Sequence, residues 1–275
     1  MKPNTTNYWN SVSSLLAAIL DGKLGPKPEM LTVTGASNIY QTTQFASTTT
    51  KYHNYYLLFR VEASFGACSH LSEQLAMGTA DQFSGLPLDV VLRDSRLPVQ
   101  IAAMDAYLGA LYPHKDNCNQ KVTITSGTPI QKAKQRDQLI ANVASIGAAE
   151  KVALIGVVNP LVEAIRLRGG TCLPCDLQLQ KTQWGDIVEK DMDKVLDHAD
   201  RVICTGMTLS NTSFDHILTR VRERGVPLTI YAQTGSAIIA QFINQGVTSL
   251  VAEPFPFTQF SASDSEIYCY TGNEE

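Results

Sequence analysis

The fold is decided by the stretch Lys151-Val-Ala-Leu-Ile-Gly-Val-Val-Asn-Pro160. Six apolar residues surround one glycine, which is typical of a buried strand. The closing pair Asn159-Pro160 predicts a helix start, with Asn159 as N-cap and proline at the first helical position. Helical spacing of apolar residues then continues to Arg168, and two glycines predict the helix end. A second apolar run, residues 171–177, follows directly. Strand, helix and strand in this order predict a βαβ unit with parallel strands.

The chain after this unit repeats the alternation of strands and helices. We predict strands over residues 201–205, 227–232 and 248–252, and helices over 187–199, 214–223 and 237–244. Before the unit, residues 121–125 predict a strand and residues 138–146 a helix. Regular alternation requires a mostly parallel sheet covered on both faces, so we predict a Rossmann-like, doubly wound α/β domain over residues 119–275.

The first part of the chain, residues 1–118, predicts a smaller α+β domain. A helix is expected over 7–21, strands of a small antiparallel sheet over 30–33, 39–45 and 55–61, and helices over 71–77, 86–92 and 99–111. Residues 62–70 predict a loop or helix entry, and 113–119 a linker. The helix over 99–111 is expected to form one apolar stripe, with Asp105 and Tyr107 off it or at its edge. The stripe consists of Ile101, Met104, Leu108 and Leu111.

The amino-acid composition limits the classes of function that this protein can have. The 275 residues are 44% hydrophobic and 17% charged, with a net charge of -4, which is ordinary for a soluble globular protein. This balance provides no basic surface for nucleic acid or an anionic membrane. The N-terminus lacks the apolar core of a signal peptide, and no window approaches the roughly 20 apolar residues of a membrane span. We therefore expect a cytoplasmic protein with free cysteines. The sequence is compatible with a homodimer.

Candidate binding residues follow the predicted strands, because ligands of open α/β sheets bind outside the carboxyl ends of the strands. Gly156 and Asn159 follow the central strand. Asp176 lies 20 positions after Gly156, the spacing at which an acid reaches a ribose hydroxyl, and Asp186 is a further candidate acid. No G-x-G-x-x-G motif is present, so Asp176 as a simple strand end is an equal alternative.

Two polar loops follow the next strands. They supply glycine, hydroxyl and amide groups at predicted helix starts, where free N–H groups and the helix dipole favour an anion. The candidate residues are Thr205, Gly206, Thr208, Asn211, Thr234 and Ser236. The alternative is that these side chains only cap helices and complete turns. Two such loops at one sheet edge favour ligand contact.

Four residues are candidate metal ligands. Cys172 and Cys175 have C-x-x-C spacing, and Cys68 and His70 lie two positions apart. A structural zinc site needs about four ligands, and a redox C-x-x-C pair normally opens a helix. A regular strand would put Cys172 and Cys175 on opposite faces. Buried thiols and a surface histidine are therefore the favoured alternative to a divalent transition-metal site.

The order of these pieces resembles the heavy-metal chelation domain family. The resemblance rests on residues 152–158, on Ala199-Asp-Arg-Val-Ile-Cys-Thr-Gly-Met-Thr-Leu-Ser-Asn-Thr-Ser213, and on residues 246–252. It implies a Rossmann-like C-terminal domain and an N-terminal domain related to the first domain of enolase, with residues 97–111 similar to the helix that ends that domain. One departure is Gln233-Thr-Gly-Ser-Ala237, where such proteins often have a Gly-Pro-Ser/Thr-x-Pro turn. The resemblance implies handling of a metal or metal chelate.

Two functions remain as hypotheses. The first is a small-molecule or metal-chelate binding protein, with the ligand between the two domains. The second is an enzyme that uses S-adenosylmethionine, a transferase or a cyclising lyase, in the same cleft. In that case Gly156, Asp176 and Asp186 would contact the nucleoside, and Tyr52, Tyr55 or Tyr56 would face the sulfonium. No G-x-S-x-G, H-E-x-x-H or Walker motif supports hydrolysis, and an oligomeric interaction module is less compatible with two polar loops.

Overall fold

The computed structural model describes residues 8–44 and 51–272. A three-stranded antiparallel sheet has the order β1-β2-β3, with β1 at Val33–Gln44, β2 at Lys51–Val61 and β3 at Ser64–His70. The long helix α3, Leu97–Leu111, packs against one face of this sheet. Shorter helices of this part are α1 at Val12–Leu20, α2 at Leu88–Leu92 and α4 at His114–Asn117, with 3-10 turns at Pro28–Met30 and Thr79–Gln82.

A second sheet of seven strands forms the rest of the described chain. Its order is β4-β10-β9-β8-β7-β5-β6, and β5 to β9 are parallel while β10 runs antiparallel to both of its neighbours. The strands are β4 at Gln120–Ile124, β5 at Lys151–Ile155, β6 at Thr171–Cys175, β7 at Arg201–Thr205, β8 at Leu228–Ala232, β9 at Ser249–Ala252 and β10 at Ser265–Thr271. The predicted fold class, a mostly parallel α/β sheet preceded by a smaller α+β part, is confirmed.

Helices cover both faces of the large sheet, as a doubly wound fold requires. On one face, α5 at Pro129–Val143 and α6 at Asn159–Leu167 contribute Ile140, Leu161 and Ile165 to an apolar core. On the other face lie α7 at Met192–Leu196, α8 at Met207–Ser210, α9 at Phe214–Arg224 and α10 at Ser236–Ala240. This second core is continuous with the core beneath the small sheet. The boundary predicted after residue 118 stays a prediction.

Helix α3 joins the two sheets and is buried on nearly every side. It contacts β3 on one side and α10 on the other, so the prediction of a single buried stripe is wrong. Asp105, expected at the edge of that stripe, is buried and accepts backbone N–H groups from Ala67 at 2.9 Å and from Ala237 at 2.8 Å. Tyr107 is also buried and donates its hydroxyl to the carbonyl of Pro26 at 2.9 Å.

Several predicted elements were wrong, mostly where small or polar residues are buried by partners distant in sequence. Residues 62–70 form β3 rather than a loop, and 71–77 form turns rather than a helix. The predicted linker 113–119 contains α4 with buried His114, and only Met192–Leu196 of the helix expected over 187–199 is helical. Helix α6 is N-capped by Val158, not by Asn159. Residue 7 of the first predicted helix and residue 45 of the second predicted strand lie outside the described residues.

Among the described residues, no helix is long and apolar enough to cross a membrane.

Candidate functional site

A cavity of about 280 Å³ lies between the small sheet and the carboxyl ends of the central strands of the large sheet. The small sheet supplies one wall, with side chains that alternate along facing strands: Gln41, Thr43, Tyr52, Asn54, Tyr56 and Ser69. The strand ends supply the opposite wall: Thr205, Gly206, Met207, Tyr231, Gln233 and Thr234. The starts of α5 and α6 and the segment 258–261 complete the lining.

The cavity lies where the topology places ligand sites. Starting from β5, the chain first adds β6 on one side and then β7 on the other, so the strand order reverses between β5 and β7. Gly206 follows β7 on the lining, and a Cβ atom there would come within 2.4 Å of the Thr234 carbonyl oxygen. Only glycine allows the loops after β7 and β8 to approach this closely.

Arg136 of α5 is the charged group best placed to meet a ligand. Its Nε–H donates to Asp137 at 2.8 Å, and its guanidinium lies 5.0 Å from the centre of the Tyr231 ring. The Tyr231 hydroxyl in turn donates to Glu253. Burial opposes the charge on Arg136, but Asp137, Tyr231 and Glu253 outweigh it and raise the pKa of Arg136 above its ordinary value. Arg136 is therefore a fixed cation.

Lys132, one turn earlier on α5, is also buried. Its ammonium donates to the carbonyls of Thr258 at 3.2 Å, Ser261 at 2.9 Å and Ser263 at 2.8 Å, and to the hydroxyl of Ser265 at 3.3 Å. These bonds fix the segment that lines one end of the cavity. Lys132 therefore builds the wall, and its donors already have acceptors.

Side-chain amides occupy the space between the two walls. The Gln233 amide donates to Gln259 Oε1 at 2.6 Å, and Gln259 donates back at 3.2 Å. Gln259 also donates to the Tyr56 hydroxyl at 3.4 Å, and burial raises the pKa of Tyr56 to about 12, so this phenol stays protonated at neutral pH. Within the described part of the chain, Gln41 Oε1 is buried without a hydrogen-bond partner. A ligand donor could satisfy this oxygen.

Six of the binding residues predicted from sequence line this cavity: Tyr52, Tyr56, Asn159, Thr205, Gly206 and Thr234. Gly156 lies behind Thr205, outside the lining. Asp176 also lies outside. One of its carboxylate oxygens accepts the N–H of Val157 at 3.0 Å, and the other accepts the N–H groups of Gln178 at 2.8 Å and Leu179 at 3.0 Å. This arrangement favours a structural role for Asp176 at the end of β6.

The remaining candidates also make local contacts away from the lining. Asp186 accepts from Arg166 and Thr182, Thr208 donates to the Thr205 carbonyl at 2.8 Å, and Asn211 accepts from the backbone and hydroxyl of Ser213. Ser236 shares a 3.0 Å hydrogen bond with buried His114, and Tyr55 stacks on Tyr40 with ring centres 4.7 Å apart. The bonds of Thr208 and Asn211 are local turn contacts, and neither side chain caps α8 or α9.

The four candidate metal ligands are not brought together. Cys172 packs with the α5 and α6 face of the sheet and Cys175 with the opposite face. Burial raises the pKa of Cys172 to about 12 and that of Cys175 to about 11, which disfavours the thiolate that a metal needs. Cys68 lies in the core beneath the small sheet, and His70 Nδ1–H donates to the Leu71 carbonyl at 2.8 Å.

The donor groups do not fit a metal centre held by the protein. The described residues contain no group of three or more His, Cys, Asp or Glu side chains that could hold a metal ion. Nor does the cavity lining, as far as the chain is described, include any of these four residue types. Hydroxyls, amides and phenols are suited to an organic ligand instead.

Sequence reasoning included Tyr52 and Tyr56 of the small-sheet wall but missed the polar residues of that wall and the basic residues of α5. The wall carried a signal, since Gln41 and Thr43 pair with Asn54 and Tyr52 and share one face of two adjacent strands. Period-two polar and aromatic residues on both strands could have indicated a common surface. For Lys132 and Arg136 the signal was weak, because a charged residue on a predicted helix is normally exposed.

Residues 138–229, from within α5 to the start of β8, match the model of the family DUF364, described as "Putative heavy-metal chelation". This part of the chain is similar to DUF364. The resemblance inferred from residues 152–158 and 199–213 is thereby confirmed, since both lie within the matched region.

Two solved structures of DUF364 proteins of unknown function are similar over nearly the whole chain. The protein from Desulfitobacterium hafniense DCB-2 is 14% identical, with a TM-score of 0.63 over 94% of this chain and 100% of that one. The protein from Pyrococcus horikoshii is 12% identical, with a TM-score of 0.54 over 94% and 99%. At these identities the likeness shows a shared fold. The search of curated proteins found no match.

Proposed function

We propose that this protein binds a small organic molecule, free or as its metal chelate, in the cavity between the two sheets. The observation that carries the proposal is the position of the cavity: it lies outside the reversal of strand order between β5 and β7 and is closed by the small sheet. Its volume of about 280 Å³ suits a small ligand.

The lining supports a chelate rather than a bare ion. A metal ion needs several carboxylate, imidazole or thiolate ligands, and the described lining provides hydroxyls, amides, phenols and two cations instead. A metal would therefore enter this cavity already coordinated by the small molecule. The chelator, not the ion, would make the contacts with the protein.

The contacts of the described residues do not favour the use of S-adenosylmethionine. The Asp176 carboxylate already accepts three backbone N–H groups, and Asp186 bonds Arg166 and Thr182. Among the described lining residues no acid faces the cavity to accept ribose hydroxyls or to attract a sulfonium. We therefore make no second proposal.

A cavity-filling substitution tests the proposal. Thr43→Trp would fill the cavity from the β1 wall, whereas Thr42→Trp, on the neighbouring exposed position, would leave it open. Thermal unfolding is followed with nickel, cobalt, zinc and copper ions, their citrate chelates, free citrate, inorganic phosphate and S-adenosylmethionine. A ligand at a hundred times its dissociation constant should stabilise by about 2.7 kcal/mol.

We expect at least one organic compound or chelate to raise the melting temperature of the wild type and of Thr42→Trp, but not of Thr43→Trp. A chelate that acts where its ion and its chelator separately do not would identify chelate binding. The proposal is overturned if none of these compounds stabilises the wild type, or if the two tryptophan variants respond alike.

A further inference from the structure

We propose that the cavity recognises its ligand by an oxyanion group, a carboxylate or a phosphate, held by the two terminal nitrogens of Arg136. This inference rests on the proposed function and names the class of ligand. Three features carry it: the anchoring of the guanidinium, the distribution of charge around the cavity, and the helix that starts at its edge.

The guanidinium is fixed on one side and open on the other. Among the described residues, its only hydrogen bond is the one from Nε–H to Asp137 at 2.8 Å, while the Tyr231 ring supports its plane. Nη1 and Nη2 make no hydrogen bond within that part of the chain, and the side chain lines the cavity with 14% of its surface exposed. Two parallel N–H donors on a fixed plane match the two oxygens of a carboxylate or phosphate.

Charge around the cavity is arranged asymmetrically. The charged side chains on the described lining are Lys132 and Arg136, both cations. The nearby acids lie behind them: Asp137 is fully buried beside Arg136, and Glu253 accepts from the Tyr231 hydroxyl and from the backbone N–H of Thr258. A ligand in the cavity therefore meets cations before it meets acids, which favours a negative group.

The start of α6 adds to this field. Val158, Asn159 and Pro160 line the cavity. No side chain caps this helix, because its N-cap is the apolar Val158, and the Asn159 amide oxygen accepts from the backbone N–H of Gln183. The N-terminal end of a nine-residue helix carries partial positive charge. By contrast, Thr128 and Gln131 cap the start of α5.

The test compares two arginines with similar surroundings. Arg136→Lys keeps the charge but loses the planar pair of donors. Arg96 provides the control, because it also pairs with an aspartate, Asp94, and lies 5.1 Å from an aromatic ring, Phe83, but does not line the cavity. Binding of inorganic phosphate and of citrate to the full chain is measured by calorimetry at constant ionic strength. A response to one probe only would distinguish a phosphate from a carboxylate ligand.

We expect the wild type and Arg96→Lys to bind one of the probes with affinities within about twofold of each other, and Arg136→Lys to bind at least tenfold more weakly, since a fixed bidentate pair is lost. If Arg136→Lys fails to fold, the double variant Arg136→Gln with Asp137→Asn, which removes the buried Asp137 carboxylate together with its cation, replaces it and should show the same loss.

Unchanged binding in the folded Arg136 variant overturns the inference. So does a wild type that binds neither probe at 10 mM. In that case, a neutral or cationic compound that stabilises the wild type but not Thr43→Trp would still support the proposed function. If no compound of either experiment binds, both proposals fail.

Discussion

His114 illustrates how single side chains connect distant parts of the chain. Its Nδ1 shares a 2.7 Å hydrogen bond with the Tyr270 hydroxyl and its Nε2 a 3.0 Å bond with Ser236, and burial lowers its pKa to about 4. Between pH 6.5 and 4 the unfolded chain binds a proton here that the folded chain does not. The free energy of unfolding should therefore fall by about 1.4 kcal/mol for each pH unit as the pH falls through this window. Above the window, the contribution of the neutral imidazole is fully present.

Denaturant unfolding between pH 8 and 5 measures this effect. In His114→Gln the loss below pH 6.5 should shrink by the amount given above, because the amide has no proton to gain. His216→Gln, which removes an exposed histidine beside Asp193, is the comparison variant. An unaltered pH dependence in His114→Gln would contradict the assignment of a neutral, buried imidazole.

A second prediction about stability concerns the buried ammonium of Lys132. Replacement by methionine removes the buried ammonium that donates to the carbonyls of Thr258, Ser261 and Ser263 and to the Ser265 hydroxyl. The free energy of unfolding should therefore fall by at least about 2 kcal/mol. Lys134→Met, two positions along α5, removes only an exposed ion pair with Glu163 and should change it by less than about 1 kcal/mol. Equal losses in urea unfolding would show that Lys132 does not fix this segment.

Among the secondary-structure elements, the contact of β3 with α3 depends on one glycine. A Cβ atom on Gly66 would lie 1.9 Å from the backbone nitrogen of Ala106 and 2.4 Å from the Ala102 carbonyl oxygen. Backbone atoms of a helix cannot move aside as a flexible side chain can. Gly66→Ala should therefore lower the free energy of unfolding by about 3 kcal/mol, measured by urea unfolding.

Gly78→Ala is the matched control, because Gly78 has negative φ and open space around its Cβ position. It should leave stability unchanged or slightly raised. A small effect of Gly66→Ala, similar to that of Gly78→Ala, would mean that α3 does not lie this close to β3.

The same contact explains which elements the sequence could predict. Strands β5, β7, β8 and β9 have apolar runs bounded by turn residues, and the local pattern was enough to find them. Strand β3 consists largely of small residues, and it is buried because α3, 27 or more positions later in the chain, packs on it. Strand β10 likewise depends on pairing with β4 and β9. The sequence pattern of a single segment does not indicate which distant segment will pack on it or pair with it.

The candidate site likewise contains residues that could be predicted from the sequence and residues that could not. Thr205, Gly206 and Thr234 follow strands whose parallel order was predicted, so their place at one sheet edge could be inferred. Arg136 and the polar residues of the small-sheet wall could not, because their position depends on how the second sheet packs against the first.

At the scale of the whole molecule, one apolar core extends from α1 through α3 to β10. We therefore expect a single cooperative unfolding transition. The chain has two tryptophans, and Trp9 is held to the large-sheet part by hydrogen bonds with Gln245 and Arg222. In Trp184→Phe, fluorescence reports Trp9 alone, and its denaturant midpoint should coincide with that of far-UV circular dichroism. An earlier fluorescence transition would show that residues before the predicted boundary at 118 unfold separately.

The placement of β10 between β4 and β9 has a consequence for synthesis on the ribosome. Strand β4 is made first of the seven strands, but its pairing partner in the sheet is β10, which is made last. At about 5 to 20 residues per second, the nascent β4 waits several seconds with its backbone donors and acceptors unpaired, while β5 to β9 can already assemble. In a growing polypeptide, β4 is thus the strand most exposed to capture by a chaperone or to mispairing with a neighbouring nascent chain.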